Sequence, residues 1–363
     1  MSCSECQRKL ESHPRQPTDK GASAPRLSIC IATYGRGTFI GETLDSILGQ
    51  LAPGVEIIIV DGASPDDTPE VMARYLSRCS QIRYYREQEN SGVDRDYDKA
   101  VGYATGEFCW LMTDDDLLRP GAVASVLGVL DHKIDLAIVN AEVRNADFSK
   151  KVEPSLLKFS ENRVYGTPDH ERFFLEVATY LSFIGCVVIR RTLWLDRDRS
   201  SYYGSLFLHV GVIFQHPPID RVCVIADPLI TIRYGNAMWT PRWFEIWLFK
   251  WPELVWSFSD YSDRAKAAVC PREPWKDVRR LFFYRATGGY TPNEYRRFLS
   301  SKVGGVRRVL SFGIAMIPGV AANILGSLYF GLLKREARLS IHNLLHGPHA
   351  NPVTHWVARL LDI

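Results

Sequence analysis

An α/β architecture, with a mostly parallel sheet and helices on both faces, is the fold this sequence predicts, and three observations predict it. Residues 27–33 (LSICIAT), 55–60 and 108–112 are apolar runs without alternation, the pattern of strands covered on both sides. Between them apolar residues recur at helical spacing, as at Ile40, Leu44, Ile47, Leu48 and Leu51. The run at 108–112 ends in Asp114-Asp115-Asp116, and ligands of open α/β sheets sit beyond the carboxyl ends of strands.

Taken in order, 27–33 is the first strand and Thr33-Tyr34-Gly35-Arg36-Gly37 the loop leaving it. The strand at 55–60 ends at Asp61-Gly62-Ala63-Ser64. Thr68-Pro69 then suits an N-cap and first turn, opening a helix through Val71, Met72, Tyr75 and Leu76. Residues 81–86 are a third strand; Tyr97, Ala100, Val101 and Ala104 mark a helix leading into 108–112. A helix over 120–130 and a strand over 135–140 complete the βαβ rhythm of a nucleotide-binding layer. Beyond 140 a loop-rich stretch precedes a helix at Thr167-Pro168, a strand at 184–189, a short helix at 206–214 holding His209, and two strands at 221–226 and 229–234.

Three adjacent carboxylates repel one another and are costly to keep ionised unless a cation neutralises them. Hard oxygen ligands suit Mg²⁺ or Mn²⁺, which commonly bind one or two carboxylates together with substrate phosphates. The triplet is therefore expected to hold a metal and a diphosphate; as a bare pattern it equally fits a solvated acidic turn near a helix start. With 363 residues the chain can bury a large core. Its net charge of +3 is too small to argue for nucleic acid.

Several cysteines (Cys30, Cys109, Cys186, Cys223) lie in apolar runs, where the thiol acts as a small hydrophobe. Cys3 and Cys6 form a lone pair in a polar tail without a secretory signal, so a cytoplasmic location is expected. Trp239, Trp243, Trp247 and Trp251 stand four apart, as in a core face or an interfacial helix. Residues 309–333 carry no charge and are flanked by Arg307-Arg308 and Lys334-Arg335. Pro318-Gly319 at the middle makes a re-entrant or surface-lying hairpin as good a reading as a span, with a buried helix pair the third possibility.

The segments LSICIATYGR, EIIIVDGASPDDT and AVGYATGEFCWLMTDDDLLRPGA, in this order and spacing over about residues 26–130, resemble the family 2 glycosyltransferases of GT-A fold. SGVDRDYDKAV, TYLSFIGCVVIRR, YYGSLFLHVGVIF and RYGNAMWTPRWFEIW narrow the likeness to the abequosyltransferase-like enzymes of O-antigen assembly, reaching about residue 290. The resemblance implies transfer, with inversion, from a nucleotide-diphospho-sugar to a lipid-linked saccharide at the cytoplasmic face of a bacterial inner membrane. A sugar nucleotidyltransferase and a non-catalytic binding protein are the competing readings.

Carried over, Thr33, Tyr34 and Arg36 line the nucleotide and Asp61 accepts from the base edge. Asp94 and Arg95 approach ribose and diphosphate, with Arg95 as a phosphate clamp. Asp115 matches the metal carboxylate, with Asp114 and Asp116 beside it and Thr113 where the family usually has an Asp. No carboxylate stands where the family's general base is expected; His209 is the titratable group there and is assigned that role, with Asp220 and Asp227 behind it. The expected organisation is a tail (1–25), a GT-A domain (26–237), a Trp-rich helical region (238–303) and membrane-associating helices (304–363).

Overall fold

The computed structural model describes residues 24–130, 133–236, 242–334 and 337–361. Most of the expected tail, with Cys3 and Cys6, lies outside these residues, as do Trp239 and Arg335. The chain runs β1 (Leu27–Thr33), α1 (Gly37–Leu48), β2 (Val55–Asp61), α2 (Thr68–Leu76), β3 (Ile82–Arg86), α3 (Val93–Tyr103), β4 (Phe108–Met112), β5 (Leu117–Leu118), α4 (Ala122–Leu130) and β6 (Leu136–Asn145). It continues through β7 (Lys151–Glu153), β8 (Arg163–Tyr165), α5 (His170–Val177), β9 (Val187–Arg190), α6 (Arg191–Asp196), α7 (Leu208–Phe214) and β10 (Val222–Tyr234).

The sheet order is β3-β2-β1-β4-β9-β6-β10-β5, with β7 on β6 and β8 on β10. The four strands from β3 to β4 are parallel, as expected. β9 then enters antiparallel between β4 and β6, so the sheet is mixed rather than mostly parallel. The two strands expected at 221–226 and 229–234 are one bulged strand, β10, and the one expected at 184–189 is a 3-10 turn followed by β9.

Side chains of β1 alternate between two cores. Leu27, Ile29 and Ile31 pack with Trp110 under α1, α2 and α4, while Cys30 and Ala32 pack with Leu111 against α3, α5 and α7. Burial on both faces is why these strands read as continuous apolar runs.

After β10 come α8 (Trp243–Glu245, a π turn Ile246–Lys250, and Trp251–Ser257), α9 (Asp263–Val269), α10 (Val278–Ala286) and α11 (Pro292–Glu294, with a π turn Tyr295–Leu299). α12 (Gly305–Met316), α13 (Gly319–Leu333), α14 (Arg338–His346) and α15 (Pro352–Leu360) end the chain. The described part of the tryptophan row is packed: Trp247 and Trp251 meet Phe207 of the sheet domain, and Trp243 lies on Tyr284. Among the described residues no single helix is long and apolar enough to cross a membrane; α12 and α13 are bent 98° from one another.

α13 turns Gly319, Ala322, Asn323, Gly326, Ser327 and Gly331 inward and exposes Leu325, Leu332 and Leu333. Inward Asn323 is fully satisfied, donating to the carbonyls of Ala286 (3.1 Å) and Leu344 (3.0 Å) and accepting from Asn351 (2.8 Å) and Thr354.

Candidate active site

The parallel register sets the site. Thr33 of β1 lies opposite Asp61 of β2, and Ile31 lies opposite Met112 of β4, which puts Asp114 level with Thr33 just past the strand end. Two loops are stitched together over this lip. Gly35 takes a positive φ of 64° that its lack of a Cβ permits, and its N–H donates to Ser64 Oγ (2.9 Å). Asp66 accepts from the Gly37 N–H (3.0 Å), and the Thr68 hydroxyl, rather than capping α2, accepts from the Arg36 N–H (3.1 Å). Tyr34 is half-buried beside them.

Arg36 is held inside the site by these turns. Its guanidinium donates to Asp115, approaches Asp114 Oδ1 at 3.4 Å, and reaches the Asn236 carbonyl (3.2 Å). Asp115 also accepts from Asn236 Nδ2 (2.9 Å). Asp116 is engaged through both oxygens, from the Arg233 N–H (2.7 Å) and the Thr113 hydroxyl (2.5 Å). Arg233, nearly buried, donates to the Asp115 carbonyl (3.0 Å) and to Glu42.

Burial, reinforced by the negative charge of Asp115, pushes the Asp114 carboxyl up to about 6. Burial likewise raises Asp115 and Asp116. Burial outweighs the guanidiniums set against the cluster, and among the described residues no three His, Cys, Asp or Glu side chains are arranged to hold a metal, so the expected Asp114-Asp115-Asp116 set is not assembled as a trio.

The remaining candidates divide. Asp61 is fully buried at the lip, accepting from the Ser64 N–H (2.7 Å) and from the Tyr84 hydroxyl. Asp94, expected near the ribose and diphosphate, is turned to backbone. Its carboxylate accepts three backbone N–H groups, from Gly204 (2.8 Å), Leu206 (3.0 Å) and Leu208 (3.3 Å), and so holds the loop ahead of α7. Asp96, which the sequence passes over, faces Asp61 instead; it accepts from Ser91 Oγ (2.7 Å), and a Cβ on Gly62 would stand 2.7 Å from its Oδ2. Arg95 is exposed and stacked on the Tyr203 ring, 4.4 Å from its centroid.

His209 does not reach the lip as an open base. It is 1% exposed, its Nε2 donates to the Leu181 carbonyl (2.6 Å), and Nδ1 is buried without a partner. Burial lowers its pKa to about 4, below the range suited to taking a proton at neutral pH. Of the fallback groups, Asp220 caps Thr167 near the opposite, β10-start edge of the sheet, and Asp227 is exposed in the β10 bulge.

Arg233, Asn236 and Tyr84 are site residues that sequence reasoning missed. For Arg233 and Asn236 the available signal was RYGN closing an apolar strand, the same strand-end logic that picked out the acid triplet.

With this geometry in view, comparison with known proteins shows what the domain is similar to. Residues 28–193 match the model of the family described as Glycosyl transferase family 2. Over this segment, a little under half of the chain, the sequence is similar to the family 2 glycosyltransferases. Abequosyltransferase RfbV of Salmonella typhimurium is 28% identical to this chain over 229 residues, 58% of this chain and 67% of that protein. The GalNAc(5)-diNAcBac-PP-undecaprenol beta-1,3-glucosyltransferase of Campylobacter jejuni is 30% identical over 104 residues, 28% of this chain and only 34% of that one. In fold, the glycosyltransferase resembles S. aureus TarS 1–349 in complex with UDP, at a TM-score of 0.51 and 15% identity over 93% of this chain and 88% of that one. The sheet is thus of GT-A type.

Proposed function

We propose that this glycosyltransferase moves a sugar from a nucleotide-diphospho-sugar to a hydroxyl of a saccharide carried on a lipid diphosphate. The transfer proceeds with inversion and with a divalent cation, in assembly of O-antigen or another surface polysaccharide at the cytoplasmic face of a bacterial inner membrane. The observation that carries the reading is the single lip that holds Thr33, Asp61, Asp114 and Asp115, with Arg36 against the last two. The names of the Salmonella and Campylobacter relatives favour a polysaccharide pathway and a polyprenyl-diphosphate acceptor.

Mg²⁺ or Mn²⁺ fits Asp114 and Asp115, neighbouring buried carboxylates whose hard oxygens suit such a cation and whose proton affinity burial raises. Asp116 fits less well, since both its oxygens are spoken for. A cation held there would supply Lewis-acid neutralisation of the leaving diphosphate, a contribution of several kcal/mol.

The chain's own residues do the rest. Arg36 turns from the carboxylates to the diphosphate oxygens, a bidentate contact for which guanidinium is suited. Asp61 takes a base-edge N–H in place of the Tyr84 hydroxyl, and Tyr34 covers the base. Asp96 accepts from the ribose, and Arg95 steers the diphosphate from the rim. Asp94 fixes the 204–208 loop so that the acceptor meets a defined wall.

The test is release of free nucleoside diphosphate by purified protein across a panel of nucleotide-sugars with Mn²⁺ or Mg²⁺. Turnover with one donor, lost in Asp115→Asn, supports the reading. Equal turnover in Asp115→Asn, or none with any donor, sinks it.

A further inference from the structure

The C-terminal helices form a half-open cavity of about 920 Å³, in the size range of small-ligand sites, on residues that sugar transfer does not use. Phe282 and Phe283 of α10 and Tyr329 and Phe330 of α13 line it with aromatic surface, and Arg279 and Arg280, both exposed, stand among its lining residues on α10. One acid opposes them: Asp277 accepts from the Arg279 N–H (2.9 Å) and lies 3.8 Å from Arg280 Nε, an exposed pair of little strength. Residues 295–334 contain six Lys or Arg and no Asp or Glu.

The surroundings are apolar to an unusual degree for a protein surface. Of the seventeen exposed large apolar side chains among the described residues, twelve fall between Val306 and Leu360, including Val309, Met316, Leu332 and Leu333. Small and polar residues fill the inside of α13 while leucines point out, so its outer surface is built for an apolar environment.

We infer that this cavity binds a phosphate-bearing amphiphile, its hydrocarbon chain against the aromatic wall and its phosphate on Arg279 and Arg280. The aromatic part of the lining suits a hydrocarbon chain, and the cations beside it, Arg279, Arg280 and Lys334, suit a phosphate rather than a neutral headgroup. Two sources share this chemistry, a bilayer phospholipid and a prenyl phosphate or diphosphate.

Calorimetric titration of the full chain with decyl phosphate, decyl maltoside and inorganic phosphate tests the assignment. Decyl phosphate is expected to bind saturably and roughly ten-fold or more tighter than either partial probe, since charge-assisted contacts and chain burial act together. The Arg279→Ala/Arg280→Ala double variant should lose that margin, and Tyr329→Glu, at a half-exposed position where folding is spared, should weaken both chain-bearing probes. Decyl maltoside or inorganic phosphate binding as tightly as decyl phosphate, or an unchanged affinity in the double variant, overturns the inference. Competition identifies the source: displacement by dihexanoyl phosphatidylglycerol points to the bilayer, displacement by farnesyl diphosphate to a prenyl carrier, and displacement by neither overturns the site.

Discussion

His209 offers a test in which stability and catalysis answer different questions. Its ring is buried, neutral and bonded to the Leu181 carbonyl, with a folded-state pKa of about 4. In the unfolded chain the imidazole returns to about 6.5. The folded pKa is the lower one, so protons favour the unfolded state. The stability at stake is fully present above pH 6.5 and is lost as the pH falls toward 4. From pH 6.5 to 5 is about 1.5 units at about 1.4 kcal/mol each, or about 2 kcal/mol.

His209→Gln keeps a donor for Leu181 and removes the titration. Urea unfolding of both proteins at pH 7 and pH 5 should find the native chain losing about 2 kcal/mol more than the variant. Other groups cancel in the difference, including His342, which burial also holds at about 4. Nucleoside diphosphate release at pH 7 should survive the change within a few-fold. Parallel pH slopes would refute the burial argument. Loss of turnover in a folded variant would restore the imidazole as base.

Further expectations concern the lip and the helices. Arg36→Ala leaves two buried carboxylates facing each other, and a thermal melt should register a loss of about 3–5 kcal/mol, partly recovered by millimolar Mn²⁺ to a greater extent than in the native protein. Asp116→Ala strands the Arg233 N–H and the Thr113 hydroxyl and should cost about 2–4 kcal/mol by urea unfolding, whereas Asp115→Asn stays folded and loses turnover. Asp94→Ala frees three backbone donors, so limited proteolysis should open the 204–208 loop and the acceptor KM should rise while donor binding is kept. Asn323→Leu breaks the buried network joining α13 to α10, α14 and α15 and should lower the melting temperature with nucleotide binding intact.

The parallel half of the fold was legible because β1, β2 and β4 are buried on both faces and end where the chemistry begins. Direction was not: Val187-Val188-Ile189-Arg190 is apolar in either orientation, and only pairing with β4 and β6 reveals that it runs backwards. Pro228 interrupts the ladder of β10 and made one strand read as two. Around the site, helix phase misled: Asp94 and Asp96 lie in the same turn of α3 but point to different loops. Arg233 was hidden because its partners lie far away in the chain. The apolar setting that drew attention to His209 is the very cause of its depressed pKa.

The last strand has one more consequence. Tyr234, next to Arg233, donates its hydroxyl to Asn343 of α14 (3.0 Å), the His342 ring lies against Tyr234, and Arg338 Nε reaches the Val152 carbonyl of β7 (2.8 Å). α14 is therefore a floor beneath the strand end from which Arg233 grips the aspartates, and not an appendage. Cutting the chain before it would leave that strand end unsupported, so a truncated enzyme should fail through slackened aspartates even when sugar donor and acceptor are both supplied in free solution.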